Sequence, residues 1–165
     1  MRPLDENDIR TSFVNCSKGE AGRLSLPKPL DATPWPNLDF LGWRDPGAPD
    51  RGYLVAEHEG RLVGLTLRAP TGPRKSFLRT NICSICVTSH AGSGVSLLAA
   101  RKAGPAGRDG NTVGAYICAD LACSLYVRGL KRTGLAQRIE ETLTLDEQIA
   151  RTRTNLDAFI TQVLV

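Results

Sequence analysis

Four of the five cysteines in this chain stand in two tight pairs, Cys83-Ser84-Ile85-Cys86 and Cys118-Ala119-Asp120-Leu121-Ala122-Cys123. Two thiolates at the first spacing can grip one ion from a single backbone turn. The second pair completes a four-sulfur set, which closes a tetrahedron and leaves no open position, the mark of a structural zinc site. Buried free cysteines do not usually pair at ligand spacing, so four unliganded core cysteines are the weaker reading. His90 follows Cys86 closely and could replace one cysteine, but four cysteines already satisfy zinc, and His90 is read as a surface histidine. Cys16 stands apart and is read as a small buried hydrophobe.

Disulfides are not expected. The N-terminus, Met1-Arg2-Pro3-Leu4-Asp5-Glu6, turns acidic at once and lacks the apolar run of a secretory signal. No stretch approaches the roughly 20 apolar residues that span a bilayer. A cytoplasmic setting is therefore expected, and there thiols stay reduced.

Charge is segregated along the 165 residues, a length that fits one domain or one domain with a small appendage. Residues 1–67 carry 8 basic and 10 acidic side chains, and residues 139–165 carry 2 and 5. Between them, residues 68–138 hold 11 basic side chains against Asp109 and Asp120 alone. Such a block suggests a surface for an anionic partner. The blander reading is a set of scattered cations solvating a glycine-rich region.

Element signals are clearest at the two ends. Asp5 can cap a short helix that sets Ile9 and Phe13 on one face and closes near Gly19 and Gly22. Four prolines in residues 25–36 predict an extended connector, followed by apolar bulk at Trp35, Leu38, Phe40, Leu41 and Trp43. Residues 52–68 alternate as a β-hairpin about Glu59-Gly60. Pro70 to Pro73 breaks that pattern and divides the chain into 1–74, a helix and hairpin packing on the core, and 75–165, the cysteine-bearing part with a C-terminal helix.

In the second part, Phe77 and Leu78 lead into the first cysteine pair, and Val95 to Ala100 and Thr112 to Cys118 read as strands. Ala103 to Asn111 reads as a loop and Asp120 to Leu130 as a short helix closed at Gly129. At the helix start, free N–H groups favour the Cys118 and Cys123 thiolates, and Asp120 is a natural cap. Thr144 and Glu147 form a capping box ahead of a stripe at Ile149, Leu156, Phe159, Ile160 and Val163, read as core packing. The expected class is α+β, a small antiparallel sheet with a zinc finger and flanking helices. A zinc knuckle, a hairpin and a helix-borne ligand together make a treble clef.

Candidates for partner contact are Arg101, Lys102 and Arg108 about the glycine-rich loop, and Arg128, Lys131 and Arg132 after Cys123. Arginine suits bidentate contact with carboxylate or phosphate. Tyr116 and Tyr126 offer flat surface among these charges, or else pack in the core beside the zinc. Arg128 and Lys131 would also interact favourably with a helix C-terminus.

The string Val113-Gly114-Ala115-Tyr116-Ile117-Cys118-Ala119-Asp120-Leu121-Ala122-Cys123-Ser124-Leu125-Tyr126-Val127-Arg128-Gly129 resembles the C-terminal treble-clef zinc finger of the elongation factor G-binding proteins, the FusB-type fusidic-acid-resistance family. Ala99 to Gly104, Gly107 to Asn111 and the Cys83-Cys86 pair fit the same pattern, over roughly residues 75–132. The resemblance implies a Zn2+-binding protein that binds elongation factor G, the ribosome or both, and promotes factor release when fusidic acid has trapped it. It implies a relative without the N-terminal helical bundle of that family, since residues 1–74 are proline-rich and partly β-like. The basic block keeps a second reading open, a module that docks directly on ribosomal RNA.

Catalysis is not expected. His58 and His90 stand at no recognisable spacing to a nucleophile, and Gly104 to Gly110 lacks the Lys-Ser/Thr end of a phosphate loop. Neither a small-molecule substrate nor a membrane partner is expected.

Overall fold

The computed structural model describes residues 1–70, 80–135 and 141–165. Helix α1 (Glu6–Ser12) begins at Asp5, whose carboxylate accepts from the Asp8 N–H at 2.7 Å while Asp8 accepts from the Asp5 N–H. It stops at Phe13, where the backbone bridges to Gly64, so Gly19 and Gly22 do not close it. Those glycines lie in a second short helix, α2 (Lys18–Gly22). Ser17 and Glu20 form a capping box there, and this local bonding offsets the helix penalty of glycine, about 1 kcal/mol each. The connector that follows carries one turn of 3-10 helix at Trp35–Asn37.

Strands β1 (Phe40–Arg44), β2 (Arg51–His58) and β3 (Arg61–Arg68) form an antiparallel meander. Glu59 and Gly60 both take positive φ at the β2–β3 turn, the geometry that suits the twist of a two-residue hairpin. The short strands β4 (Thr80–Ile82) and β5 (Ser89–Ala91) pair with each other around the first cysteine pair. Strand β6 (Val95–Arg101) pairs with β3 and with β7 (Thr112–Cys118). The main sheet thus runs β1-β2-β3-β6-β7, and both parts of the chain supply its strands. The expected strand at Phe77 and Leu78 lies outside the described residues.

Ala103 to Asn111 is not all loop. Helix α3 (Gly104–Arg108) fills it, with Pro105 in the first turn, where a missing N–H is harmless. The helix after the second cysteine pair, α4 (Cys123–Val127), starts three residues later than Asp120 and closes at Gly129, where φ is 69°. Helix α5 (Leu145–Leu164) has the expected box, with the Glu147 N–H donating to Thr144 Oγ1 and the Thr144 N–H donating to Glu147. Among the described residues, no helix is long and apolar enough to cross a membrane.

Strand alternation gives the sheet two different faces. One face carries Phe40, Leu54, Ala56, Val63, Leu65, Leu67, Leu98 and Ala100, and packs on Leu156, Phe159, Ile160 and Val163 of α5 and on all four paired cysteines. On the other, Leu41, Trp43, Tyr53 and Val55 pack with Ile9 and Phe13 from the α1 segment. That second core covers the β1–β3 half. The β6–β7 half of the same face leaves Leu97 and Tyr116 exposed. Gly42 of β1 shows how the first core meets the cysteine site. A Cβ there would lie 2.6 Å from Leu121 Cβ, so only glycine lets the loop between Cys118 and Cys123 rest on the sheet.

Candidate metal centre

Each cysteine reaches the site from a different piece of local geometry. Cys83 and Cys86 occupy the turn between β4 and β5. Val87 closes that turn at φ 60°, with its N–H donating to the Cys83 carbonyl at 2.9 Å. A β-branched residue at positive φ is an outlier, and it persists here inside a tightly bonded turn. Within the turn, the Ile85 and Cys86 N–H groups donate to Cys83 Sγ at 3.4 and 3.5 Å. Cys118 ends β7 and Cys123 begins α4. Between them Leu121 also takes positive φ, 59°, and its N–H donates to the Cys118 carbonyl.

The four sulfurs converge. All lie within 4.8 Å of one another, and all four residues are buried. Cys83 Sγ and Cys123 Sγ are 3.7 Å apart, and Cys86 Sγ and Cys118 Sγ 3.5 Å. A tetrahedron with zinc–sulfur bonds of about 2.3 Å has edges of about 3.8 Å, so the set fits a zinc ion. Sulfurs this close also act on one another's ionisation. Hydrogen bonds from Cys118, Cys123 and Cys83 hold Cys86 far below an ordinary thiol. Cys118, Cys83 and Cys86 push Cys123 well above one. Four buried sulfurs cannot all be thiolates together without a cation between them.

His90 is no surface residue. It is 1% exposed, and its Nε2 lies 3.3 Å from Cys118 Sγ and 2.9 Å from Thr88 Oγ1. Thr88 Oγ1 in turn lies 2.9 Å from Cys86 Sγ. The ring stands behind two of the cysteines, bonded to one of the four sulfurs rather than added to the set. Tyr126 packs edge-on against it, centroids 4.6 Å apart, and Gly94 leaves room on another side, since a Cβ there would stand 2.7 Å from His90 Cβ. Hydrogen bonding behind a ligand tunes a metal site and fixes its geometry. Thr88, two residues past the knuckle, carries no sequence signal for that role.

The eight candidate contact residues do not share one patch. Tyr126 is buried, and its hydroxyl donates to Asp120 at 2.9 Å. Burial, then the Asp120 carboxylate, pushes its pKa up. Asp120 also accepts from Lys131 Nζ at 2.6 Å and from the Ala122 N–H. Burial resists its ionisation, but these donors outweigh it and hold Asp120 below the usual carboxylate range. Asp120 therefore caps the turn before α4. Arg128 is an internal strut, bidentate to Asp39 at 2.6 and 3.1 Å. Lys102 is half-buried and bonds the Val165 carbonyl. Arg101, Arg108, Tyr116 and Arg132 are exposed.

Four of the eight line two separate hollows, and Arg108 and Tyr116 line neither. Tyr126, Lys131 and Arg132 line one of about 440 Å³ with Ile82, Val87 and Leu135, directly beside the knuckle. Arg101 lines another of about 530 Å³ on the second face of the sheet.

A family model described as the FBP C-terminal treble-clef zinc-finger matches residues 8–163. The chain belongs to this family. The match reaches well beyond the string around Cys118 and Cys123 and takes in most of α1 and all strands of the main sheet. A solved structure titled "Structure of the fusidic acid resistance protein FusC" aligns with 94% of this chain and 62% of its own, at 16% identity and a TM-score of 0.46. The chain thus spans less than two thirds of that protein. No curated protein matches the sequence.

Proposed function

We propose that Cys83, Cys86, Cys118 and Cys123 hold one structural zinc ion, and that the surface it shapes binds elongation factor G and promotes its release from the ribosome. Membership of the treble-clef family supports the reading, together with the family resemblance of the string from Val113 to Gly129. The observation that carries it is the hollow beside the knuckle. Ile82 and Val87 are 56% and 37% exposed there, next to the basic Lys131 and Arg132. Exposed apolar side chains with a cationic rim suit a partner that offers both an apolar anchor and acidic groups. The closed four-sulfur set gives zinc no substrate position, so the protein acts by binding, without catalysis. Clearance of a factor trapped by fusidic acid is then a shift in the factor's conformational balance, driven by differential affinity.

The test is a titration of purified elongation factor G with the wild-type chain and with the double variant Ile82→Asp, Arg132→Glu. The wild type should form a saturable complex at micromolar concentration, and the double variant, still folded by circular dichroism, should lose it at least tenfold. No complex with the wild type at tens of micromolar would overturn the reading.

A further inference from the structure

The second face of the sheet carries a surface that the zinc site does not explain. Antiparallel register puts Arg51 of β2 directly opposite Arg68 of β3, and Arg68 opposite Ala99 of β6. Arg101 lies two residues beyond Ala99 and so points to the same side. These three arginines gather at one end of the sheet, and Arg23, just after α2, leans over the same hollow of about 530 Å³. Like charges placed directly opposite on neighbouring strands destabilise a sheet.

Neighbouring acids answer only part of this charge. Arg68 pairs with Asp50 at 3.0 Å. Asp45 accepts from the Tyr53 hydroxyl at 2.6 Å and is also drawn down by Arg51. Glu20 is held by the Ser17 N–H and hydroxyl at 2.8 Å, with the charges of Arg101 and Arg23 nearby. Among the described residues, Arg23 and Arg101 make no ion pair. The floor beneath them is rigid, because the buried Asn15 side chain donates to the Thr66 and Arg101 carbonyls and accepts from the Thr66 N–H.

A second observation on the same face is independent of the charges. Tyr116 of β7 is 57% exposed, beside its register partner Leu97, which is 37% exposed. Neither belongs to the core clusters on the two sides of the sheet. Tyr116 stands four residues along β7 from Thr112, the register partner of Arg101, about 13 Å at the rise of a strand. Gly114 lies between them, opposite Ala99, and raises no side chain. An exposed aromatic ring is thus joined by a low path to an arginine-lined cleft.

We propose that this face binds a single strand of nucleic acid, its backbone phosphates held by Arg23, Arg51, Arg68 and Arg101 and one base stacked on Tyr116. Guanidinium groups recognise phosphate bidentately, and a ring beside a basic groove is the general design for strands read without sequence preference. The proposal does not rest on factor binding, which uses the other hollow.

The experiment follows fluorescence anisotropy of a labelled 12-nucleotide RNA with the zinc-loaded full chain over a salt series. Four phosphate contacts predict a slope of log K against log salt of roughly −2.8. Arg23→Gln with Arg101→Gln should make that slope shallower by roughly 1.4 and weaken binding at least tenfold at low salt. Tyr116→Ala should weaken binding roughly tenfold and leave the slope unchanged. A DNA strand of the same sequence should bind similarly, whereas polyglutamate should not compete. Lys131→Gln with Arg132→Gln, on the other hollow, should leave RNA affinity unchanged, and the arginine double variant should still bind elongation factor G if the wild type does. Absence of saturable RNA binding, an unaffected arginine variant, equal loss in the Lys131/Arg132 control, or full competition by polyglutamate would each overturn the proposal.

Discussion

At Asp39 a side chain with no accessible surface accepts from arginines 89 and 114 positions away, Arg128 at the C-terminal cap of α4 and Arg153 of α5. Its own N–H donates to Ser124 Oγ, so one residue ahead of β1 ties down both helices. Burial resists ionisation of this carboxyl, but the two guanidinium groups outweigh it and hold Asp39 below the usual range. Replacing it with alanine strands Arg128, which is 13% exposed, and should destabilise the fold by about 3 kcal/mol in urea unfolding. The pH dependence has a definite sign. A depressed carboxylate stabilises above its unfolded pKa, about 3.9, and that stability is lost as pH falls through the lower folded value. Wild type should therefore lose stability more steeply than Asp39→Asn below about pH 4. None of this shows in the local sequence, where Asp39 is one acid among many and Arg128 reads as a helix-end charge. The cysteines are the opposite case. Pair spacing is a local property, so the convergence of all four was legible from the chain alone, whereas the burial of His90 behind them depends on packing with Tyr126 that no spacing reveals.

Elements were legible where a local bonding pattern and a hydrophobic period agree. The Thr144-Glu147 box and the stripe through Ile160 define α5, and the Glu59-Gly60 turn sets the hairpin register. Helices α2 and α3 were hidden because glycine and proline argue against a helix, while caps and a permissive first turn act in its favour. The start of α4 moved to Cys123 because Leu121 leaves the helical region to seat its side chain on Gly42. That contact gives a prediction at this scale. Gly42→Val forces the ligand loop off the sheet and should lower both melting temperature and zinc affinity, measured by competition with a chromophoric chelator. Equal zinc affinity in the variant would show that the loop does not need the sheet.

For the whole molecule, the change in composition near Pro70 is not a change of sheet. β3 pairs with β6 across it, the cysteines pack in the core that holds Leu54 and Leu65, and the family match runs from residue 8 to 163. Chain-long charge segregation was legible as a sum, but its distribution was not. Arg128 turned inward, Lys131 met Asp120, and Arg101 joined cations from the N-terminal part. A structural zinc is worth on the order of 10 kcal/mol in small fingers, and a domain's net stability is about 5–15 kcal/mol. Metal and fold should therefore be lost together, including the second core, which holds none of the four paired cysteines. Trp35 and Trp43 report on that core, since both are buried in it. The decisive measurement is a chelator titration that follows zinc release and tryptophan fluorescence in the same sample. One zinc per chain, released in a single step that coincides with the fluorescence change, is the predicted result. Zinc leaving while the tryptophan signal stays native, or a purified folded chain that carries no zinc, would contradict it.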